Sequence, residues 1–139
     1  MNSKFLTATV VGAVVLFVLG YLIFGLALTG FYEGNAGTAT GVDKETPEWL
    51  WLILSVLATS VFLVLVLGWR GATDVVAGFK TAAIVGLLWG ISLDFGLYSM
   101  TNLHTLHLTL VDPIITAIYM GLVGAVIGML LGRGAPASL

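Results

Sequence analysis

The chain has 139 residues, 59% of them hydrophobic and 9% charged, with a net charge of −2 and a mean hydropathy of +1.11. So little charge cannot cover a water-facing surface of this size, which excludes an ordinary soluble domain and points to an integral membrane protein built as one unit. The sequence has no basic run, which excludes nucleic acid as a partner, and no cysteine, which excludes disulfides, thiolate metal sites and cysteine nucleophiles.

Between Lys4 and Glu33 the chain carries no charge. About 20 apolar residues suffice to cross a bilayer core, so residues 5–32 predict a first spanning helix with length to spare for tilt. The run is longer than the apolar part of a secretion signal and lacks an early cleavage site, so it is expected to be retained. Gly20 and Gly25 inside it suit close approach by a neighbouring helix, and Tyr32 suits an interface. Residues 33–46 are polar and rich in glycine, and read as a loop.

A second helix is predicted over residues 47–69. Thr46 is placed to cap it, Pro47 to enter its first turn, and Glu48 to complement its positive end. Trp49 and Trp51 mark one interface and Trp69 the other. The connector at residues 70–74 is short, so the next helix, residues 75–98, is expected to return antiparallel. It holds Lys80 near its start and Asp94 near its end, with Ala82, Gly86 and Gly90 on one face at steps of four.

Asp112 followed by Pro113 reads as cap and first residue of a fourth helix over residues 113–131. Gly124, Gly128 and Gly132 form overlapping G-x-x-x-G units there, and Ala117 with Gly121 adds another small pair. The end of the chain, residues 132–139, reads as frayed. The fold class expected is therefore all-α: a polytopic four-transmembrane-helix bundle in a single membrane domain. Lys4, Arg70, Lys80 and Arg133 fall on one side and Lys44 alone on the other, which places both termini in the cytoplasm.

Residues 94–112 gather most of the polar chemistry. The candidate ligand cluster is Asp94, Asn102, His104, His107 and Asp112, with Glu33 as a further carboxylate. An ionisable group at membrane depth is a functional hypothesis by default. His104 and His107, three apart, share a face if that stretch is helical, and with one carboxylate they match the donor set of zinc or another divalent metal. The plainer reading is a polar interfacial connector in which Asp112 serves as a cap. Lys80 and Asp94 lie 14 residues apart, about 21 Å along a helix, too far to pair. With only four helices and Lys80 near a helix end, a retinal Schiff base finds no place. No G-x-S-x-G and no phosphate loop is present, so nucleophilic catalysis has no support and the chain reads as non-catalytic.

The run Thr101-Asn102-Leu103-His104-Thr105-Leu106, followed by Leu108 to Leu110 and Asp112, resembles a T-N-L-x-T-L … L-x-x-D pattern. That pattern belongs to small bacterial inner-membrane proteins of four helices, a family known as a domain of unknown function. The resemblance covers residues 94–130. It departs from the family at Met100, where an aspartate is expected, and at Pro113 and Ile114, where Trp-Gly is expected. It implies the four-helix fold and a bacterial inner-membrane location, and no activity.

Three functions remain. The small-residue faces favour a structural or accessory subunit that self-associates as a homo-oligomer or docks with other membrane subunits. The polar cluster instead favours a small ion- or proton-coupled transporter or channel. The histidines allow a metal- or haem-like-cofactor-binding membrane protein, although the sequence identifies no cofactor. The lipid bilayer is the one partner common to all three.

Overall fold

The structure is a computed structural model that describes residues 2–133. Most of the segment read as a frayed end, residues 134–139, lies outside the described residues. All the helices and strands among the described residues are helices. Four segments are long and apolar enough to cross a membrane: Ser3–Ala27, Trp49–Arg70, Val75–Met100 and Leu106–Gly132.

Helix α1 (Ser3–Gly20) starts at Asn2, whose side chain accepts the Lys4 N–H. From Tyr21 to Ala27 the winding widens into a π-helix that ends at Leu28, and a short α2 (Thr29–Gly34) follows. The single helix expected over residues 5–32 is thus two pieces joined by a wide turn. The Thr29 hydroxyl holds the break, donating to the Gly25 carbonyl at 2.7 Å and reaching Phe24 O at 3.2 Å. A π-turn shifts the register of everything beyond it, and this one sets the direction of α2.

Helix α3 (Trp49–Arg70) starts later than the expected Pro47, and Thr46 does not cap it. Glu48 takes the cap position but makes no cap bond, because its carboxylate pairs with Lys44 four residues back. Gly71, at φ +69°, closes α3 in a left-handed turn, donating to the Leu67 and Gly68 carbonyls. The chain then turns into α4 (Val75–Met100). The Asp74 carboxylate caps that helix, accepting from Val76 N and Ala77 N.

The largest correction concerns the last helix. Helix α5 (Leu106–Gly132) begins at Leu106 rather than Pro113. Thr105 is its cap, its Oγ1 accepting from Leu108 N at 3.3 Å. Pro113 lies inside the helix, with its ring seated where Gly90 of α4 offers no side chain. Asp112 is therefore no cap, and its carboxylate is free for tertiary contacts.

Helices α4 and α5 form an antiparallel hairpin whose backbones touch. A Cβ on Gly124 would meet Ala82 and the Gly78 carbonyl; one on Gly86 would lie 2.8 Å from Thr116 O, and one on Gly128 would lie 2.5 Å from Asp74 O. Gly132 faces the Thr73 carbonyl, and Gly121 receives the Phe79 ring. The small faces are thus filled within one chain. Helix α1 packs on α3 and α5 at Gly12, beside which the Ser60 hydroxyl donates to Thr9 O at 2.7 Å. The core of Leu16, Leu63, Val64, Leu67, Val123 and Ile127 covers only the C-terminal half of α3; from Trp49 to Leu54 that helix is exposed.

The bundle has two ends. The turn end carries residues 71–74 and the start of α1. The loop end carries α2, residues 35–48 and residues 101–105.

Candidate functional site

At the loop end residues 35–39 lie along residues 102–105. Gly37 N donates to Leu103 O at 2.8 Å, Ala39 N to Asn102 O at 3.0 Å, and Thr105 N to Asn35 O at 3.1 Å, with an antiparallel bridge between Ala36 and His104. Gly37 is required here, because a Cβ would collide with the Asn102 carbonyl. Backbone satisfaction thus explains most of the connector.

The pairing presses His104 onto α4. Its Nδ1 stands 3.8 Å from Asp94 Oδ1, and no donor reaches Asp94 Oδ2. Asp94 is 5% exposed. The Asp112 carboxyl of α5 lies against that of Asp94, and only a proton placed between the two turns this contact into a hydrogen bond. Two facing carboxyls hold a shared proton or a small cation more readily than two bare charges.

Tyr32 completes the group. Its hydroxyl donates to Asp112 Oδ1, and Thr116 Oγ1 lies 3.5 Å from Oδ2. Burial, then the bond to Asp112, then the nearby charges of Asp112 and Asp94 push the phenol well above its ordinary range, so it remains a neutral donor. The ring is held by edge-to-face packing on Phe24, which also packs on Tyr119. Because Phe24 lies in the π-helical turn and Tyr32 just beyond it, that turn aims the phenol at Asp112.

In front of this group lies a pocket of about 440 Å³ lined by Tyr32, Glu33, Asp43, Leu103 and His104 among others. Glu33 and Asp43 are exposed at its mouth. The pocket therefore joins the loop-end surface to the two side chains that touch the carboxyl pair.

Of the residues singled out in the sequence, Asp94, His104 and Asp112 come together. His107 does not join them: it sits in the first turn of α5, its Nδ1 2.9 Å from Asn35 Oδ1 and its ring edge-on to Phe31. Asn102 serves through its backbone carbonyl, and its side chain is exposed. His104 precedes α5, so the two histidines share no helical face, and among the described residues no three of His, Asp and Glu are grouped to hold a metal ion. Sequence reasoning missed Tyr32, read only as an interfacial residue, and Asn35. Tyr32 meets its partner 80 residues away, and no local spacing signals such a pair. Comparison of the chain with protein-family models, with curated proteins and with solved structures finds no match.

Proposed function

We propose that the protein is a small bacterial inner-membrane protein that takes up a proton or small monovalent cation at the Asp94–Asp112 pair and moves it across or within the bilayer. The observation that carries this reading is Asp94 itself: a carboxyl 5% exposed, facing a second carboxyl, with Oδ2 given no donor. A buried acid left in this state is costly and is kept where the proton or ion it binds matters. His104 and Tyr32 link the pair to the acidic pocket, which supplies a route from the loop end. The Lys/Arg distribution supports a cytoplasmic turn end, and the resemblance at residues 101–112 supports the bacterial inner membrane. Four helices are few for alternating access, so transport in this reading requires an oligomer.

The test is a flux assay in proteoliposomes with a pH-sensitive dye inside and sodium or potassium gradients imposed in turn. The wild-type chain should carry one of these ions, and Asp94→Asn should abolish the flux. A wild-type protein that moves none of them ends the transport reading.

The accessory-subunit reading loses one of the features that favoured it, because the glycine faces are filled by α4 and α5 within the chain. The exposed stretch of α3 from Trp49 to Leu54 still supports it. Copurification of a stoichiometric subunit from native membranes, lost on Leu50→Ser, would favour it.

A further inference from the structure

A second polar site lies at the turn end, independent of the carboxyl pair. The left-handed turn at Gly71 and the Asp74 cap fold the end of α3 against the start of α4. This brings Arg70, the last residue of α3, and Lys80, in the second turn of α4, to one pocket of about 300 Å³. Asp74, Val76, Ala77 and Thr81 share its lining. Arg70 and Lys80 are both exposed, and among the described residues neither has an ion-pair partner. The one carboxylate nearby, Asp74, has its Oδ1 occupied by two backbone N–H groups. The pocket thus presents two cations without ion-pair partners beside one carboxylate committed to the helix cap.

Its surroundings identify the kind of anion. Trp69, next to Arg70, is 80% exposed, and Val75 and Val76 are 50% and 59% exposed. An indole and bare valines beside a cation pair suit the boundary between headgroups and acyl chains, where long basic side chains reach up to phosphate. A soluble anion would need no such apolar rim. Basic pockets between spanning helices hold anionic headgroups by charge and by donor geometry, the guanidinium bidentately and the ammonium as a point charge.

We propose that Arg70 and Lys80 bind the phosphate of an anionic phospholipid in the leaflet at the turn end. The Lys80 side chain, set within an apolar run of the sequence, then has a ligand rather than only a route to water.

The experiment is native mass spectrometry of the full chain released from nanodiscs of phosphatidylglycerol and phosphatidylcholine. The wild-type protein should retain phosphatidylglycerol in preference to phosphatidylcholine. Arg70→Gln and Lys80→Gln should each lower that preference about fivefold, and the double variant about thirtyfold, from the energy of one basic residue at a charged surface. The exchange Arg70→Lys with Lys80→Arg keeps both charges and should keep the preference, which separates charge from any loss of folding. Lys4→Gln, on the same side, should leave it unchanged. The proposal is overturned if the double variant retains the lipid as well as wild type, if Lys4→Gln costs as much, or if millimolar inorganic phosphate displaces the lipid and binds with the same dependence on Arg70 and Lys80.

Discussion

At Asp94 the protein holds a carboxyl in place without giving it a donor of its own. Its Oδ2 meets no N–H or O–H, and the imidazole at 3.8 Å is beyond hydrogen-bond range. Asn in its place keeps the shape and gives Asp112 an N–H donor at every pH, whereas Asp94 donates only while the pair holds its proton. Where that proton is lost, Asp94→Asn should therefore raise stability by about 1 kcal/mol, the gain for satisfying one buried polar contact, while abolishing flux. A raised melting temperature with lost function is the signature of a site that trades stability for work; a lowered one would mean that Asp94 is held by a structural bond.

Tyr32 behaves in the opposite sense, because it is the satisfied partner. Tyr32→Phe removes the donor to Asp112 and should cost about 1.5–3 kcal/mol, the range for a hydrogen bond to a charged group. The pH dependence follows from the raised phenol. Its folded form prefers the proton, so the stability it contributes is complete below the unfolded phenol's value of about 10 and declines as pH rises above it. Chemical denaturation at pH 8 and pH 11 should show a loss in wild type that is reduced in Tyr32→Phe; equal losses in both would remove Tyr32 as the cause.

At the scale of elements, each glycine has its own sign. Gly124→Leu drives a side chain into Ala82 and the Gly78 backbone, and should unfold the α4–α5 hairpin rather than merely dissociate copies. Gly96 and Gly68 have nothing within 4 Å of an added Cβ. Gly96→Ala and Gly68→Ala should be neutral or stabilising by about 0.5–1 kcal/mol, since alanine restricts the unfolded chain. Thermal unfolding of the three variants, read by helical signal and by size-exclusion chromatography, gives the order. A folded monomer from Gly124→Leu with only its self-association lost would return these faces to an interface role.

The same elements show what the sequence reveals and what it hides. The four apolar runs announce their helices because membrane-crossing length and sparse charge need no partner to be seen. The small residues at steps of four likewise announce close packing; which helix they pack against is not marked in either run, and the fold pairs α4 with α5, the helix joined to it by residues 101–105. The start of α5 is disguised for a local reason. Asp112 and Pro113 have the chemistry of a helix start, yet proline is accepted inside α5 because Gly90 makes room for it, and Thr105 supplies the cap. The π-helical turn in the first span has no marker beyond Gly25 and Thr29, so Tyr32 was legible as an aromatic at an interface and not as the partner of Asp112.

At the scale of the whole molecule, both sites depend on which way the bundle faces. The carboxyl pair opens to the loop end through a pocket carrying Glu33 and Asp43, and the free cations Arg70 and Lys80 lie at the turn end. Spread over one axis, these charges make the loop end acidic and the turn end basic, the arrangement expected when the turn end faces the cytoplasm. A carboxyl pair reached from the outer side would then load where the proton activity is higher, and a basic pocket would meet the leaflet richer in anionic lipid. The chain contains no cysteine, so single thiol probes can be added without removing any native group. Thr40→Cys, exposed on the loop, should react with a membrane-impermeant maleimide added to intact cells. Thr73→Cys, exposed at the turn, should react only after the membrane is opened. The reverse pattern would put the acidic pocket on the cytoplasmic side; proton uptake at Asp94 would then have to run outward, and the anionic-lipid site would face the opposite leaflet.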